Sequence, residues 1–111
     1  MKLPGAALAV IELEKLRDYC LDPDHPRGKH KARVFQAALG LTKADSELLR
    51  SKILAAVATV DCEVGESDDY GARYKVEVTI TVNAMSAVVC TGWITRTGED
   101  SPRLTTCYVK R

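Results

Sequence analysis

The sequence lacks any long hydrophobic run. Its longest apolar stretches, such as residues 6–11 and 53–57, are far shorter than the roughly 20 residues of a membrane-spanning helix. Acidic residues interrupt the apolar stretch near the amino terminus, which argues against a secretory signal. We therefore expect no membrane association and a cytoplasmic location.

An excess of charge of one sign is also missing. Lys and Arg number 16 and Asp and Glu number 15, so the formal net charge is only +1. This balance argues against a protein that coats nucleic acid through bulk positive charge. With 111 residues, of which 46% are hydrophobic, the chain has the length and composition of one globular domain. We expect residues 1–111 to form a single domain.

Motifs for metals, nucleotides and common nucleophiles are absent. Cys20, Cys62, Cys90 and Cys107 form no CxxC pair, and no histidine stands at zinc-finger spacing from them. The residues on either side of each cysteine are apolar or strand-like, which suggests that the thiols are buried and reduced. A buried thiol in turn disfavours a Cys–His nucleophile. The HExxH, GxxxxGK[ST], GxGxxG and GxSxG patterns do not occur. We therefore expect neither a metal nor an organic cofactor.

Helical spacing of apolar residues predicts three helices, at about residues 12–21, 29–39 and 43–57. Gly40 is suited to end the second helix, and Thr42 with Asp45 forms a capping pair for the third. Alternating patterns then predict strands at about residues 73–83, 87–95 and 103–109, with a short strand near 59–64. Residues 61–71 otherwise look like an acidic loop that ends in a turn.

This order of elements predicts an α+β domain. Its N-terminal helices would pack on one face of a C-terminal antiparallel sheet of three to four strands. The strand order is left open by the sequence, and residues 73–83 would form a long edge if they lay outermost.

Charge is segregated along the chain. Residues 27–33 include four basic residues and no acidic one, whereas residues 61–69 include five acidic residues. The four basic residues are Arg27, Lys29, Lys31 and Arg33. Basic residues at a helix start suit phosphate, and we expect Gly28 to let an anion approach the backbone there. His30 lies within this run and has the chemistry of a general base for a ribose hydroxyl. The alternative is a solvated helix start with an exposed histidine.

The last strands offer a second candidate surface. Alternation places Leu104, Thr106 and Tyr108 on one face of the final strand, with Cys107 and Val109 on the core face. If Trp93 on the neighbouring strand is exposed, it forms with Tyr108 a platform on which a base can stack. The other interpretation places Trp93 in the core, and alternation leaves both open.

Three segments resemble a family of small bacterial domains of unknown function. They are residues 15–21, residues 25–35 with the motif GKHKAR, and residues 93–108 with the motif GEDxPRLxTxY. The resemblance covers almost the whole chain. It implies a small protein that occurs alone or at the C-terminal end of larger toxin-like proteins, in some cases beside a small partner gene in a toxin–antitoxin-like arrangement.

The order of helices and sheet also resembles the barnase–EndoU–colicin–RelE group of RNases, which cut RNA without a metal. That resemblance implies a catalytic set drawn from the helix start and the sheet: His30, Lys31, Arg96, Thr106 and Tyr108. It further implies an RNA-binding set: Arg27, Lys29, Arg33, Trp93 and Arg103.

Two functions follow as expectations. The first is a metal-independent endoribonuclease that acts as the toxin of a bacterial toxin–antitoxin system or as a related effector. Its partners would be RNA and a small antitoxin or immunity protein. The second is a non-enzymatic binding module, such as the antitoxin or immunity partner or a small adaptor, that uses the acidic stretch at residues 61–69 and the open face of the sheet.

Overall fold

The computed structural model describes the whole chain, Met1–Arg111, as three helices followed by four strands. The helices are α1 (Leu13–Lys15, continued by a wide π turn over Leu16–Cys20), α2 (Lys29–Leu39) and α3 (Ser46–Val57). The strands are β1 (Glu63–Asp68), β2 (Gly71–Val82), β3 (Met85–Arg96) and β4 (Arg103–Val109). The predicted α+β class is confirmed.

Local signals explain where the helices begin and end. Asp45 Oδ2 accepts a hydrogen bond of 2.9 Å from the backbone N–H of Thr42, and together they form the predicted capping box. Gly40 has a φ of 68° at the end of α2, a conformation that glycine adopts without strain. The first helix differs from the prediction, because its second half is a π turn closed by a 2.8 Å hydrogen bond from Leu21 N to Leu16 O.

The sheet is antiparallel throughout, in the order β1-β2-β3-β4. The acidic stretch expected to be mostly a loop instead supplies β1, an edge strand whose six residues are all exposed. It pairs with β2, so β2 is an interior strand and not an edge. A short connection through Asn83, which has a φ of 55°, joins β2 to β3.

One face of the sheet forms the core with the helices. Val76, Val78 and Ile80 of β2 are almost completely buried, as are Phe35 of α2 and Ile53 of α3. Cys20, Cys90 and Cys107 are buried, Cys62 is half-buried, and all four are free thiols. None of the helices has the length and apolar character needed to cross a membrane.

A bulge in β4 changes which side chains share a face. Gly92 pairs with Thr106 while the next residue, Trp93, pairs with Leu104, so Thr105 is an extra residue. Leu104 therefore lies in the core with Cys107 and Val109. The prediction that Leu104 shares a face with Thr106 and Tyr108 is therefore wrong. The extra residue, Thr105, breaks the alternation, so that Leu104 points to the opposite face of the sheet from Thr106 and Tyr108.

Candidate functional site

The basic cluster of the sequence remains without acidic partners after folding. Five cations have no Asp or Glu carboxylate within 4.0 Å: Arg27, Lys29, Lys31, Arg33 and Arg111. Four of these cations belong to α2 or the turn before it, and Arg111 lies at the end of β4. Cations without partners create a positive potential that attracts phosphate groups.

The first N–H groups at the start of α2 are already occupied. His25 Nδ1 accepts hydrogen bonds from the N–H groups of Arg27 (3.0 Å) and Gly28 (2.9 Å), and His25 O accepts from Lys29 N (3.0 Å). A Cβ at Gly28 would overlap the carbonyl oxygen of Tyr19. The expectation that Gly28 admits an anion is wrong, because the backbone of Tyr19 fills that space.

His30, Lys31 and Tyr108 line one groove. It lies between α2 and the end of β4, has a volume of about 350 Å³, and is completed by Val34, Val109 and Arg111. His30 and Tyr108 are exposed, and Lys31 is half-buried. Residues that carry an imidazole, an ammonium and a phenol therefore line one groove between two separate elements, and these three groups are suited to proton transfer and charge stabilisation.

Lys31 is held in place by a residue that the sequence analysis did not single out. Its Nζ donates a 2.7 Å hydrogen bond to the hydroxyl of Tyr19, which is half-buried in the π turn. The Tyr19 ring in turn packs edge-on against His25, with ring centroids 4.9 Å apart. A regular helix over residues 12–21 would not reveal this contact, because the π turn changes the direction in which Tyr19 points.

Trp93 belongs to the core. Its side chain is only 1% exposed, and its indole Nε1 donates a 2.8 Å hydrogen bond to Thr91 Oγ1. That hydroxyl donates onward to Val76 O at 2.7 Å. The proposed role of Trp93 as a surface for stacking bases is therefore wrong: Trp93 shares the helix-facing side of β3 with Val89, and a buried partner satisfies its N–H.

Thr106 and Tyr108 differ in accessibility. The Tyr108 side chain is 38% exposed, whereas Thr106 Oγ1 is buried and has no hydrogen-bond partner. The methyl group of Thr106 lies 3.4 Å from where a Cβ of Gly92 would be, so the side chain is packed over that glycine. Of the two residues, Tyr108 is therefore the one that solvent or a ligand can reach.

Arg96 and Arg103 lie at the other end of the sheet. The carboxylate of Glu99 lies 4.0 Å from the guanidinium of Arg96 and 3.5 Å from that of Arg103. The guanidinium of Arg103 also lies 3.7 Å from the carboxylate of Glu12. Arg96 is four residues along β3 from Gly92, the partner of Thr106, which corresponds to about 13 Å. The candidate residues thus fall into two groups: His30, Lys31 and Tyr108 are together, and the two arginines are apart from them.

Two of the buried core thiols, Cys20 and Cys107, have shifted pKa values. Hydrogen bonding to the Cys20 thiol, together with burial, raises the pKa of Cys107 well above its ordinary value. The same hydrogen bond lowers the pKa of Cys20. Both side chains are fully buried, so neither can reach a substrate. No group of three or more His, Cys, Asp or Glu side chains is arranged to hold a metal ion.

Comparison with known families identifies the chain. Residues 2–111 match the family model of DUF6883, described as a domain of unknown function, and the chain therefore belongs to that family. No curated protein and no solved structure matches it.

Proposed function

We propose that this domain is a metal-independent endoribonuclease whose reacting phosphate binds in the groove of His30, Lys31 and Tyr108. One observation carries the proposal: these three residues line one groove, and neither Lys31 nor Arg111, the two cations of its lining, has an acidic partner. A polyanion such as RNA supplies the missing negative charge. Cleavage needs no metal in this scheme, because every proton and charge can be handled by side chains of the groove.

The proposed reaction is an internal transfer at phosphorus. The imidazole of His30 takes the proton of a ribose 2′-hydroxyl, and the 2′-oxygen forms a bond to the adjacent phosphorus. The bond from phosphorus to the 5′-oxygen breaks, and the phenol of Tyr108 donates a proton to that leaving oxygen. The products are a 2′,3′-cyclic phosphate and a 5′-hydroxyl.

Lys31 stabilises the charge that develops on the non-bridging phosphate oxygens. Its ammonium already has one fixed partner, the Tyr19 hydroxyl, which holds it at the wall of the groove. A pre-positioned cation stabilises a transition state without the cost of reorganisation. Tyr19 is therefore a positioning residue and does not touch the substrate.

The remaining residues of the predicted RNA-binding set divide by position. In this proposal, neighbouring phosphates contact the other cations of α2 and of the turn before it, which are Arg27, Lys29 and Arg33. Arg96 and Arg103 contact RNA farther along the sheet, where Glu99 competes for them. Thr106 borders Tyr108 on β4, and its buried hydroxyl acts only after its side chain rotates.

The biological role that we propose is the toxin of a bacterial toxin–antitoxin pair, or a related effector, with a small neutralising protein as its partner. This part rests on the resemblance of the two long motifs described above. Arrest of growth on expression, relieved by the product of an adjacent gene, is the expected behaviour.

The test is cleavage of labelled RNA by the purified protein in EDTA. We expect cleavage to persist and to leave cyclic phosphate ends, and we expect His30→Ala, Lys31→Ala and Tyr108→Phe to lower its rate by about 100-fold or more. Lys52→Ala is the matched control, because it removes an unpaired lysine from α3, away from the groove. Absence of cleavage, its loss in EDTA, or equal activity in all variants would contradict the proposal.

The second candidate is the non-enzymatic binding module. It is favoured by β1, whose six residues are exposed at an edge and include Glu63, Glu66 and Asp68. A tight complex with the product of an adjacent gene, in the absence of RNA cleavage and of toxicity, would select this function.

A further inference from the structure

We propose that a pocket on the opposite side of α2 from the His30 groove binds an unpaired base of an RNA strand whose backbone crosses the exposed side of that helix. The pocket has a volume of about 240 Å³ and lies where α2 meets the end of the first helical segment and the turn that leads into α3. The inference rests on the proposed function only in taking RNA as the ligand, and it does not require that the RNA be cleaved.

The lining of the pocket combines buried apolar residues with an exposed amide. Leu21, Ala32 and Leu41 are at most 4% exposed, whereas Gln36 is exposed. The Gln36 side chain offers a carbonyl acceptor and an amino donor, a pair of groups that can read the edge of a base. An unstacked base is recognised in this way, by apolar contacts to its faces and hydrogen bonds to its edge.

The size of the pocket suits a single ring system. Sites that enclose a whole small-molecule ligand usually measure roughly 300–1,000 Å³, and this pocket is smaller. A base that is paired in a duplex cannot enter it, because its edge is occupied and its faces are stacked on neighbouring bases. The pocket therefore favours single-stranded RNA.

The geometry of α2 connects the pocket to the groove. Successive residues of a helix are about 100° apart around its axis. Ala32 and Gln36, which line the pocket, therefore lie nearly opposite Val34, which lines the groove. Lys29 and Arg33 lie between the two sites, on the exposed side of the helix. A strand that follows these two cations runs from the groove to the pocket.

Positive charge marks this path. Lys29 and Arg33 have no Asp or Glu carboxylate within 4.0 Å. They are about one helical turn apart, roughly 6 Å along the axis, so each can bind a separate phosphate. Lys43 lines the pocket, but its Nζ lies 3.8 Å from the carboxylate of Asp22. The charge that attracts the RNA backbone therefore comes from α2, and the pocket itself receives the base.

An acidic segment of a partner protein fits this surface less well. Its carboxylates could meet Lys29 and Arg33, and one of its apolar side chains could fill the pocket. Such a side chain would make no use of the Gln36 amide at the pocket, whereas the edge of a base hydrogen-bonds to both of its groups. We therefore favour RNA, and the test includes the peptide.

Binding of a strand that cannot be cleaved tests the proposal. The probe is a fluorescein-labelled, eight-nucleotide strand of mixed sequence in 2′-O-methyl RNA, which has no 2′-hydroxyl to act as nucleophile. Its binding is followed by anisotropy. We expect saturable binding that is weakened about tenfold or more when the strand is annealed to its complement or when its bases are replaced by abasic residues.

Variants separate the base from the phosphates. Ala44→Phe fills the pocket from an exposed position, and Gln36→Ala removes the amide. We expect both to weaken binding of the intact strand and to leave binding of the abasic strand unchanged. Arg33→Ala should weaken binding of both strands equally, because it removes a phosphate contact. Ala55→Phe is the matched control: it enlarges an exposed alanine of α3, and we expect it to bind as the wild type does. Circular dichroism checks the folding of each variant.

Four outcomes would overturn the proposal. They are no binding of the intact strand, equal binding of the intact and abasic strands, duplex binding as tight as that of the single strand, and unchanged binding by both Ala44→Phe and Gln36→Ala. Binding of an eight-residue peptide of alternating Glu and Leu, lost in Ala44→Phe while RNA does not bind, would assign the pocket to a protein partner instead.

The same measurements keep this inference separate from the nuclease. RNA cleavage by a protein whose strand binding is unchanged in Ala44→Phe and Gln36→Ala would refute the base pocket alone. Strand binding that depends on the pocket, in a protein that cleaves no RNA, would refute the nuclease alone.

Discussion

Lys31 and Tyr19 form the contact that joins the first helical segment to the candidate site. The ammonium of Lys31 donates to the Tyr19 hydroxyl at 2.7 Å, and both side chains are half-buried. The same tyrosine supplies the backbone carbonyl that lies against Gly28. Tyr19 therefore fixes both the start of α2 and the position of its lysine.

Replacing Tyr19 by Phe should separate these two roles. We expect Tyr19→Phe to keep the ring packing and to lose the hydrogen bond, with a fall of about 1 kcal/mol in the free energy of unfolding. If Lys31 acts on phosphate, kcat for RNA cleavage should fall while KM changes little. Urea denaturation and steady-state kinetics measure the two effects. A fall in stability with unchanged kcat would mean that the contact is structural only.

Trp93→Phe tests the assignment of the tryptophan to the core. We expect a loss of about 2 kcal/mol of stability, because the buried Thr91 hydroxyl loses its donor and a smaller ring leaves space. The wild-type fluorescence should be blue-shifted and insensitive to acrylamide. Quenching of that fluorescence by direct addition of RNA, with stability unchanged, would instead favour an exposed stacking surface.

Replacing either of two glycines by alanine should lower the stability of the protein by different amounts. Gly28→Ala places a Cβ against Tyr19 O, so we expect a loss of more than about 2 kcal/mol as the π turn is pushed from α2. Gly98 has open space around it but a φ of 84°, so Gly98→Ala should cost only about 1 kcal/mol. Thermal unfolding of the two variants compares them. Equal losses would mean that close approach at Gly28 is not what requires glycine.

The thiols should differ in reactivity. Cys62 is half-buried, whereas Cys20, Cys90 and Cys107 are buried. We expect iodoacetamide to modify one thiol of the native protein rapidly and all four in denaturant, as counted by intact mass. In Cys62→Ser, the fast modification should disappear. Modification of Cys107 at the rate of Cys62 would contradict its burial and its raised pKa.

The ion pair between Glu77 and Lys110 predicts a dependence of stability on pH. The hydrogen bond from Lys110 lowers the pKa of Glu77 below its ordinary value. A lowered carboxyl pKa stabilises the fold above the unfolded pKa, and that contribution is lost as pH falls through the folded pKa. Glu77→Gln should therefore be less stable than the wild type near neutral pH, and the difference should vanish as the pH falls through the lowered pKa of Glu77.

Urea titrations at neutral pH and in strong acid measure this difference. Glu66→Gln is the control, because Glu66 is exposed and has no ion-pair partner. The effect should be small, because exposed ion pairs contribute little to stability. A difference between wild type and Glu77→Gln that persists in strong acid would contradict the assignment.

Local pattern was sufficient for most of the elements. The alternation from Tyr74 to Val82 predicted β2 because one face of that strand is buried and the other is not. Thr42 and Asp45 predicted their cap because both partners are within one turn. By contrast, β1 was largely missed, since Glu, Gly, Ser and Asp have low strand propensity. It forms because β2 offers an edge to pair with.

The candidate site was predicted in part. The clustering of His30 and Lys31 is visible in the sequence, because both stand on one turn of a helix. That they line one groove with Tyr108 depends on how α2 packs beside β4, and the contact of Lys31 with Tyr19 depends on a π turn. Neither Gly28 nor Trp93 took the expected role, because each is surrounded by residues distant in the sequence.

The sequence by itself determined the segregation of charge, the helical and strand periods and the α+β class, since these depend on neighbours within a few residues. Only the tertiary structure decided which side of the sheet Trp93 faces, where the bulge in β4 falls, and which cations remain without a partner. Those outcomes follow from strand register and helix packing, which bring together residues far apart in the chain. The basic groove exists because α2 packs beside the end of β4, so that His30, Lys31 and Arg111 line one surface.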